Sequence, residues 1–217
     1  MPAPILPTQR YGRYVGLLAL LILVLITINT IVTKPNGARG VPPGAQMPSF
    51  AVPLVQSGLV GAADVATRPD QGLAGRVPAC ELRGAAILNL CEHYERGPVV
   101  LALFVDGGSC AAILGDMQAL APDFPGVQFL AVSIKGDRGQ LRHLAARGGL
   151  RFPIGIDETG TLAALYSLAT CPQVTFAYPG GRVQSPALLA RPAPATLRAR
   201  VAALVAASRA RGWRPAP

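Results

Sequence analysis

The side chains best suited to chemistry are those of the four cysteines, Cys80, Cys91, Cys110 and Cys171. A cysteine thiolate attacks disulfides and peroxides, and a neighbouring thiol can resolve the mixed disulfide or sulfenic acid that results. Four cysteines allow three pairings, and their spacing alone does not choose among them. Their even number, after an apolar N-terminal segment, favours an oxidising compartment.

The two histidines do not complete a metal site with these thiols. His93 lies two residues after Cys91, but a C-x10-C-x-H arrangement lacks a tight chelating turn and a fourth ligand. His143 lies on a predicted helix. We therefore expect no metal and no cofactor. Asp106 could assist proton transfer near Cys110, although a solvated loop residue is the simpler interpretation.

The segment before Cys110 predicts how this thiol is presented. Residues 98–105 form an unbroken apolar run, which is typical of a strand buried on both faces. Residues 106–109 form a tight loop, in which we expect Gly108 and Ser109 to support the site. Ser109 is a favourable N-cap, so Cys110 would lie in the first helical turn. Unpaired N–H groups and the helix dipole stabilise a thiolate there.

The remaining periodicity predicts an α/β domain with a mixed sheet and helices on both faces. A hairpin turning at Arg83 and Gly84 is expected over 80–89, after a long loop over 56–78. The other predicted elements are strands over 127–134, 152–156 and 174–178 and helices over 90–94, 140–147, 159–167 and 194–210.

An apolar N-terminal segment indicates the compartment. Residues 15–33 carry no charge, and at about 1.5 Å per residue this helix would span roughly 28 Å, close to the hydrocarbon thickness of a bilayer. We predict an N-terminal tail over 1–14, a transmembrane helix over 15–33 and a Pro- and Gly-rich linker over 34–48. A cleaved signal peptide is the alternative.

The charge balance does not indicate a nucleic-acid partner. The net charge is +9, but aromatic residues make up only 6% of the chain and no block of like charge occurs. Attraction to an anionic lipid surface remains compatible with this balance.

Several segments together resemble the thioredoxin superfamily, specifically its membrane-anchored TlpA-like and redoxin-type domains. The resemblance covers about 160 residues, and its pieces occur in the family's order. They are GAQMPSF at 44–50, GPVVLALF at 97–104 followed by Cys110, FPIGID at 152–157, CPQVTF at 171–176 and GGRV at 180–183.

The resemblance implies a thioredoxin-like domain over 49–210, followed by a tail over 211–217. It implies a cis peptide bond before Pro172, and it places Cys171 against Cys110. Cys80 and Cys91 then remain for a structural disulfide.

Two motifs of the superfamily are incomplete in this chain. Gly107 occupies the position of the nucleophile in a C-x-x-C motif. Leu103 and Gly107 replace the proline and threonine of a peroxiredoxin motif. Neither of the superfamily's standard active sites is therefore intact.

These features predict a membrane-anchored, extracytoplasmic thiol–disulfide oxidoreductase acting through Cys110 and Cys171. Cys110 is expected to be the more acidic and more accessible thiol, with Cys171 resolving. The alternatives are a peroxiredoxin-like antioxidant peroxidase with Cys110 as the peroxidatic residue, and a non-catalytic binding module with a permanent disulfide. The expected partners are protein or small-molecule thiols and disulfides, peroxide, and the bilayer of the cell membrane. The protein would cross it once, with its N-terminus cytoplasmic.

Overall fold

The computed structural model describes residues 8–32, 40–59 and 77–215. The chain divides into two compact units, Met1–Gly37 and Ala38–Pro217. The first contains helix α1 (Thr8–Val32), whose side chains over 14–28 are exposed. No helix in the described part of the chain combines the length and the apolarity that crossing a membrane requires.

The second unit is built from seven strands and six helices, counting α-helices only among its described residues. The strands are β1 (Ala51–Pro53), β2 (Ile87–Asn89), β3 (Val99–Phe104), β4 (Gln128–Ile134), β5 (Ile154–Asp157), β6 (Gln173–Ala177) and β7 (Val183–Leu188). The helices are α2 (Leu90–Arg96), α3 (Gly108–Ala111), α4 (Ile113–Leu120), α5 (Arg138–Arg147), α6 (Thr161–Leu165) and α7 (Pro194–Ala210).

Five of the strands form one mixed sheet in the order β5-β4-β3-β6-β7. Strands β3, β4 and β5 run parallel, whereas β6 is antiparallel to both β3 and β7. Strands β1 and β2 form a separate antiparallel pair. All six residues of β3 are buried, because this strand lies at the centre of the sheet with both faces covered.

The two faces of the sheet carry separate apolar cores. On one face, Val100, Ala102 and Phe104 of β3 pack with apolar residues of α4, α5 and α7. On the other, the alternate residues of β3 pack with residues of β1, β2 and α6. The prediction of a mixed α/β sheet with helices on both faces is therefore confirmed.

The predicted hairpin over 80–89 is wrong. Ala79–Glu81 form a short 3-10 helix, and β2 pairs with β1 rather than with the residues just before it. The side-chain amide of Asn89 donates to the carbonyl oxygens of Ala79 and Leu82, at 2.8 and 2.9 Å. These two hydrogen bonds hold residues 79–82 in a turn, and β2 pairs instead with β1, which lies more than 30 residues earlier in the sequence.

The predicted linker over 34–48 extends too far. Val41 and Met47 are buried, and the N–H of Met47 donates to the Gly181 carbonyl at 2.9 Å. Residues 40–48 therefore belong to the second unit, and their Pro and Gly content hid this from the sequence. Residues 33–39 and most of the predicted loop over 56–78 (60–76) lie outside the described residues, as do the ends of the chain (1–7 and 216–217).

Candidate active site

The sheet brings Cys110 and Cys171 together at the end where β3 finishes and β6 begins. Strand β6 runs antiparallel to β3, and Leu103 near the end of β3 pairs with Gln173 at the start of β6. The loop that follows β3 and the residue that precedes β6 by two positions therefore meet. Cys110 and Cys171 form a disulfide there with a Cα–Cα distance of 5.3 Å, within the range usual for such bridges.

The peptide bond between Cys171 and Pro172 is cis, as the resemblance to the thioredoxin superfamily implied. Pro172 itself is buried, whereas Ala169 and Thr170, just before the cysteine, are exposed. Cys171 therefore stands at the point where an exposed loop enters the sheet.

One backbone amide contacts both sulfurs. The N–H of Val105, the residue that follows β3, donates to Cys110 Sγ and to Cys171 Sγ, at 3.2 Å in each case. A hydrogen bond to the charged form of a thiol favours that form. Whichever sulfur becomes a thiolate, a donor held by the end of the central strand is already in place.

The helix that carries Cys110 begins earlier than the sequence indicated. Its N-cap is Gly107, which makes no side-chain capping bond, and Ser109 is an exposed residue within α3. The prediction of Ser109 as the N-cap is therefore wrong. Gly107 and Gly108 have φ values of 109° and 56°, which glycine adopts freely, so the chain turns into the helix before Ser109. Cys110 still lies in the first turn.

The two cysteines differ in exposure, and in the opposite sense from the prediction. Cys110 is 7% exposed and belongs to the apolar core beside Ala111 and Leu114. Cys171 is half-buried and packs only against the border of that core. In the disulfide form the accessible residue is therefore Cys171. The apolar face of the helix carries Cys110 inward with it.

A polar cavity of about 380 Å³ opens beside this site. It is lined by Asp106, Gln140, His143 and Arg147. The Oδ2 atom of Asp106 is shielded from solvent and accepts no hydrogen bond from any described residue. From the sequence, only Asp106 was placed near Cys110, because only the fold brings α5 against the loop after β3.

The second disulfide joins Cys80 to Cys91, with a Cα–Cα distance of 5.3 Å across 11 residues. Cys91 is fully buried, and Cys80 is half-buried. Two hydroxyl groups approach Cys80 Sγ, that of Tyr94 at 3.5 Å and that of Ser49 at 3.6 Å. This bridge lies inside a packed and hydrogen-bonded corner.

Asn89 organises that corner. Its Oδ1 accepts from the N–H of Cys91 at 2.8 Å, so it caps α2, while its amide holds the carbonyls of the preceding turn. All polar atoms of this buried side chain thus have partners, which suits a residue with a structural task.

Near this corner, burial lowers the pKa of His93, although a hydrogen-bonding contact of its Nδ1 with Gln128 Oε1 at 3.1 Å opposes the shift. The neutral imidazole is therefore favoured. Among the described residues, no three histidine, cysteine or acidic side chains converge as a metal site requires.

No family model matches this sequence, and no curated protein matches it. Solved structures do. A proposed thiol:disulfide interchange protein, DsbE, from Chlorobium tepidum has a TM-score of 0.57 at 18% identity, covering 76% of this chain and 98% of its own. The chain has the thioredoxin fold. An uncharacterised protein from Geobacillus kaustophilus has a TM-score of 0.58 at 20% identity, covering 81% and 85% of the two chains.

A third thioredoxin-fold structure is peroxidoxin BcpB from Mycobacterium tuberculosis, with a TM-score of 0.53 at 14% identity, covering 80% of this chain and 97% of its own. The fold is thus shared with proteins described by different activities. What this chain does must be argued from its own cysteines.

Proposed function

We propose that this thioredoxin-fold protein exchanges thiols and disulfides through Cys110 and Cys171. One observation carries the proposal: the two cysteines form a bridge at the sheet edge, and a single backbone N–H, that of Val105, contacts both sulfurs. Such an arrangement stabilises the thiolate that exchange must release. The description of a structural neighbour as a disulfide interchange protein supports the same reading.

The reaction balances with a dithiol substrate as the reductant. A substrate thiol loses its proton to solvent, and the thiolate attacks the bridge, forming a mixed disulfide and releasing one protein thiolate. The second substrate thiolate then attacks the substrate sulfur of the mixed disulfide and releases the other protein thiolate. Two electrons pass to the protein, which ends as a dithiol, and the substrate ends as a disulfide. The reverse sequence reduces a substrate disulfide.

The test is a redox titration of the full-length protein in buffers of reduced and oxidised glutathione. A Cys80→Ser, Cys91→Ser double variant serves as the matched protein, because only the proposed pair can then titrate. We expect a reversible two-electron transition under native conditions. A pair that stays oxidised in excess dithiothreitol would make the bridge a permanent one and leave the binding-module alternative.

Hydrogen peroxide distinguishes the peroxidase alternative. The oxidoreductase proposal expects the reduced protein to consume peroxide no faster than a Cys110→Ser variant does. Consumption that depends on Cys110 would favour the peroxidase instead. Leu103 and Gly107, which stand where a peroxiredoxin has proline and threonine, are the reason to expect the first result.

We propose further that residues 15–33 anchor the protein in the cell membrane, with the N-terminus cytoplasmic and the thioredoxin-fold unit outside. The support is the uncharged run in the sequence and the exposed apolar side chains of α1. The side chains of residues 29–33 lie outside the described part of the chain. Two disulfides in one chain also fit an oxidising compartment.

Membrane fractionation tests this placement. We expect the full-length protein to stay in the membrane pellet after an alkaline wash, and a variant without residues 1–38 to be soluble. A reporter fused after Pro217 should be active outside the cytoplasm. Processed protein free of membrane would favour a cleaved signal peptide, and a cytoplasmic reporter signal would overturn the topology.

A further inference from the structure

The two sulfurs of the proposed redox pair are not equally open to a substrate. Cys110 is 7% exposed, and its neighbours in the core include Ala111 and Leu114. Cys171 is half-buried and is preceded by two exposed residues, Ala169 and Thr170. An approaching molecule therefore meets Cys171 before it can reach Cys110.

Thiol–disulfide exchange makes this difference decisive. An attacking thiolate must reach the sulfur that it will bond to, while the other sulfur departs. Access to Cys110 is restricted, because this residue is 7% exposed and packs in the apolar core, where a charged attacker is disfavoured. Cys171 is more exposed and follows directly after the exposed residues 169–170.

A hydrogen-bond donor is in place for either departing sulfur. The N–H of Val105 donates to Cys110 Sγ and to Cys171 Sγ at 3.2 Å, so this contact does not distinguish the two cysteines. Access therefore assigns the roles: the more exposed Cys171 is attacked, and the buried Cys110 leaves as a thiolate that this amide stabilises.

We propose that Cys171 is the cysteine that bonds to the substrate and that Cys110 is the leaving and resolving thiol, the reverse of the roles expected from the sequence. The inference rests on the proposed exchange function. A substrate thiolate attacks Cys171 Sγ, the bond to Cys110 Sγ breaks, and Cys110 leaves as a thiolate. In the reverse direction, the Cys171 thiolate attacks a substrate disulfide, whose S–S bond breaks and releases one substrate thiolate. The Cys110 thiolate then attacks Cys171 Sγ, restores the bridge and releases the second substrate thiolate.

The decisive experiment uses the full-length parent protein. The oxidised protein is mixed with reduced glutathione, quenched with acid before equilibrium and alkylated with N-ethylmaleimide, and its peptides are mapped by mass. We expect glutathione on Cys171 and the alkyl group on Cys110, exceeding the opposite labelling by about tenfold or more, since access decides which sulfur is attacked. Predominant glutathione on Cys110 would overturn the assignment.

Matched single variants provide a second measurement. Cys110→Ser leaves Cys171 as the free thiol, and Cys171→Ser leaves Cys110. With oxidised glutathione, Cys110→Ser should form a mixed disulfide about tenfold faster than Cys171→Ser does, because Cys171 is the more accessible residue. The mixed disulfide on Cys171 should then persist, because no resolving thiol remains. Equal rates, or a faster Cys171→Ser, would contradict the proposal. Circular dichroism checks that both variants are folded.

The parent protein separates the two ways of failing. If its bridge does not exchange with glutathione at all, the proposed function fails, and the role assignment fails with it. If the bridge exchanges but glutathione is found on Cys110, the function stands and the role assignment alone is wrong.

Discussion

The two disulfides have the same Cα–Cα distance, 5.3 Å, and very different surroundings. Cys80–Cys91 joins residues 11 apart in a corner where Cys91 is fully buried and Asn89 satisfies the local backbone. Cys110–Cys171 joins residues 61 apart at a sheet edge beside an exposed loop. The two bridges thus have the same Cα–Cα distance and differ in their surroundings, and the proposed division into a redox pair and a structural bridge rests on that difference.

The hydrogen-bond donors near the sulfurs differ in kind. At Cys80 they are the hydroxyl groups of Tyr94 and Ser49, at 3.5 and 3.6 Å. At Cys110 and Cys171 the donor is the backbone N–H of Val105, fixed by the end of a central strand. Only the second arrangement places one backbone donor on both sulfurs of the bridge, so that either sulfur can leave as a stabilised thiolate.

The sharpest way to break this comparison is to remove each bridge and measure exchange. Cys110→Ser should abolish catalytic turnover with a peptide disulfide, because it stops at the mixed disulfide on Cys171 with no intramolecular thiol left to resolve it. The Cys80→Ser, Cys91→Ser double variant should keep most of the parent activity. If the double variant lost activity and Cys110→Ser kept it, Cys80–Cys91 would be the redox pair and the proposed assignment would be wrong.

Stability, unlike exchange, should respond to the loss of either bridge. In the chain-entropy description, a disulfide that joins residues 11 apart stabilises the folded state by roughly 3 kcal/mol. One that joins residues 61 apart stabilises it by roughly 4 kcal/mol. Urea unfolding of the oxidised protein should therefore show a free-energy loss of up to these sizes when the cysteines of either bridge are replaced by serine. An unchanged free energy of unfolding after replacement of Cys80 and Cys91 would contradict the structural role of that bridge.

A smaller effect is expected at Asn89. Asn89→Ala removes the cap of α2 and the two bonds to Ala79 and Leu82, which should cost about 2 kcal/mol of unfolding free energy. Asn89→Asp is the matched control, since it keeps the capping acceptor and loses the two donors. Redox exchange should stay at the parent level in both. Loss of exchange would mean that the two regions are coupled.

The smallest effect concerns pH. Burial holds the pKa of His93 below its unfolded value of 6.5, so above both values the imidazole is neutral in the folded and unfolded chains. As the pH falls through the unfolded pKa, the unfolded chain binds the proton first, and the folded state loses stability until the folded pKa is passed. The urea midpoint should therefore fall more between about pH 7.5 and about pH 5.5 in the parent than in His93→Gln. Equal slopes would contradict this.

The sequence was most informative where one element decides its own structure. Strand β3 was predicted from an apolar run, and α7 from the spacing of Leu197, Val201 and Leu204. The prediction of a hairpin over 80–89 was wrong, because β2 pairs with β1, which lies in a distant part of the chain. Local pattern carries no information about such a partner.

The candidate site shows the same division. The four cysteines are visible in the sequence, but their exposure depends on packing around α3. The sequence therefore predicts Cys110 as the more accessible residue, whereas in the structure it is Cys171. The N-cap moved to Gly107 because glycines turn the chain before Ser109 does. The contribution of Val105 could not be found, since its functional group is a backbone N–H and its side chain gives no signal.

That amide has a consequence for how the site can change. A side chain at position 105 can be exchanged for almost any other without losing the donor, because the main chain supplies it; only proline lacks the N–H. Most substitutions at position 105 therefore preserve the hydrogen bonds to the sulfurs, and a comparison of residue types at this position would not reveal them. A designer wishing to move this chemistry to another protein would have to copy a strand ending rather than a motif.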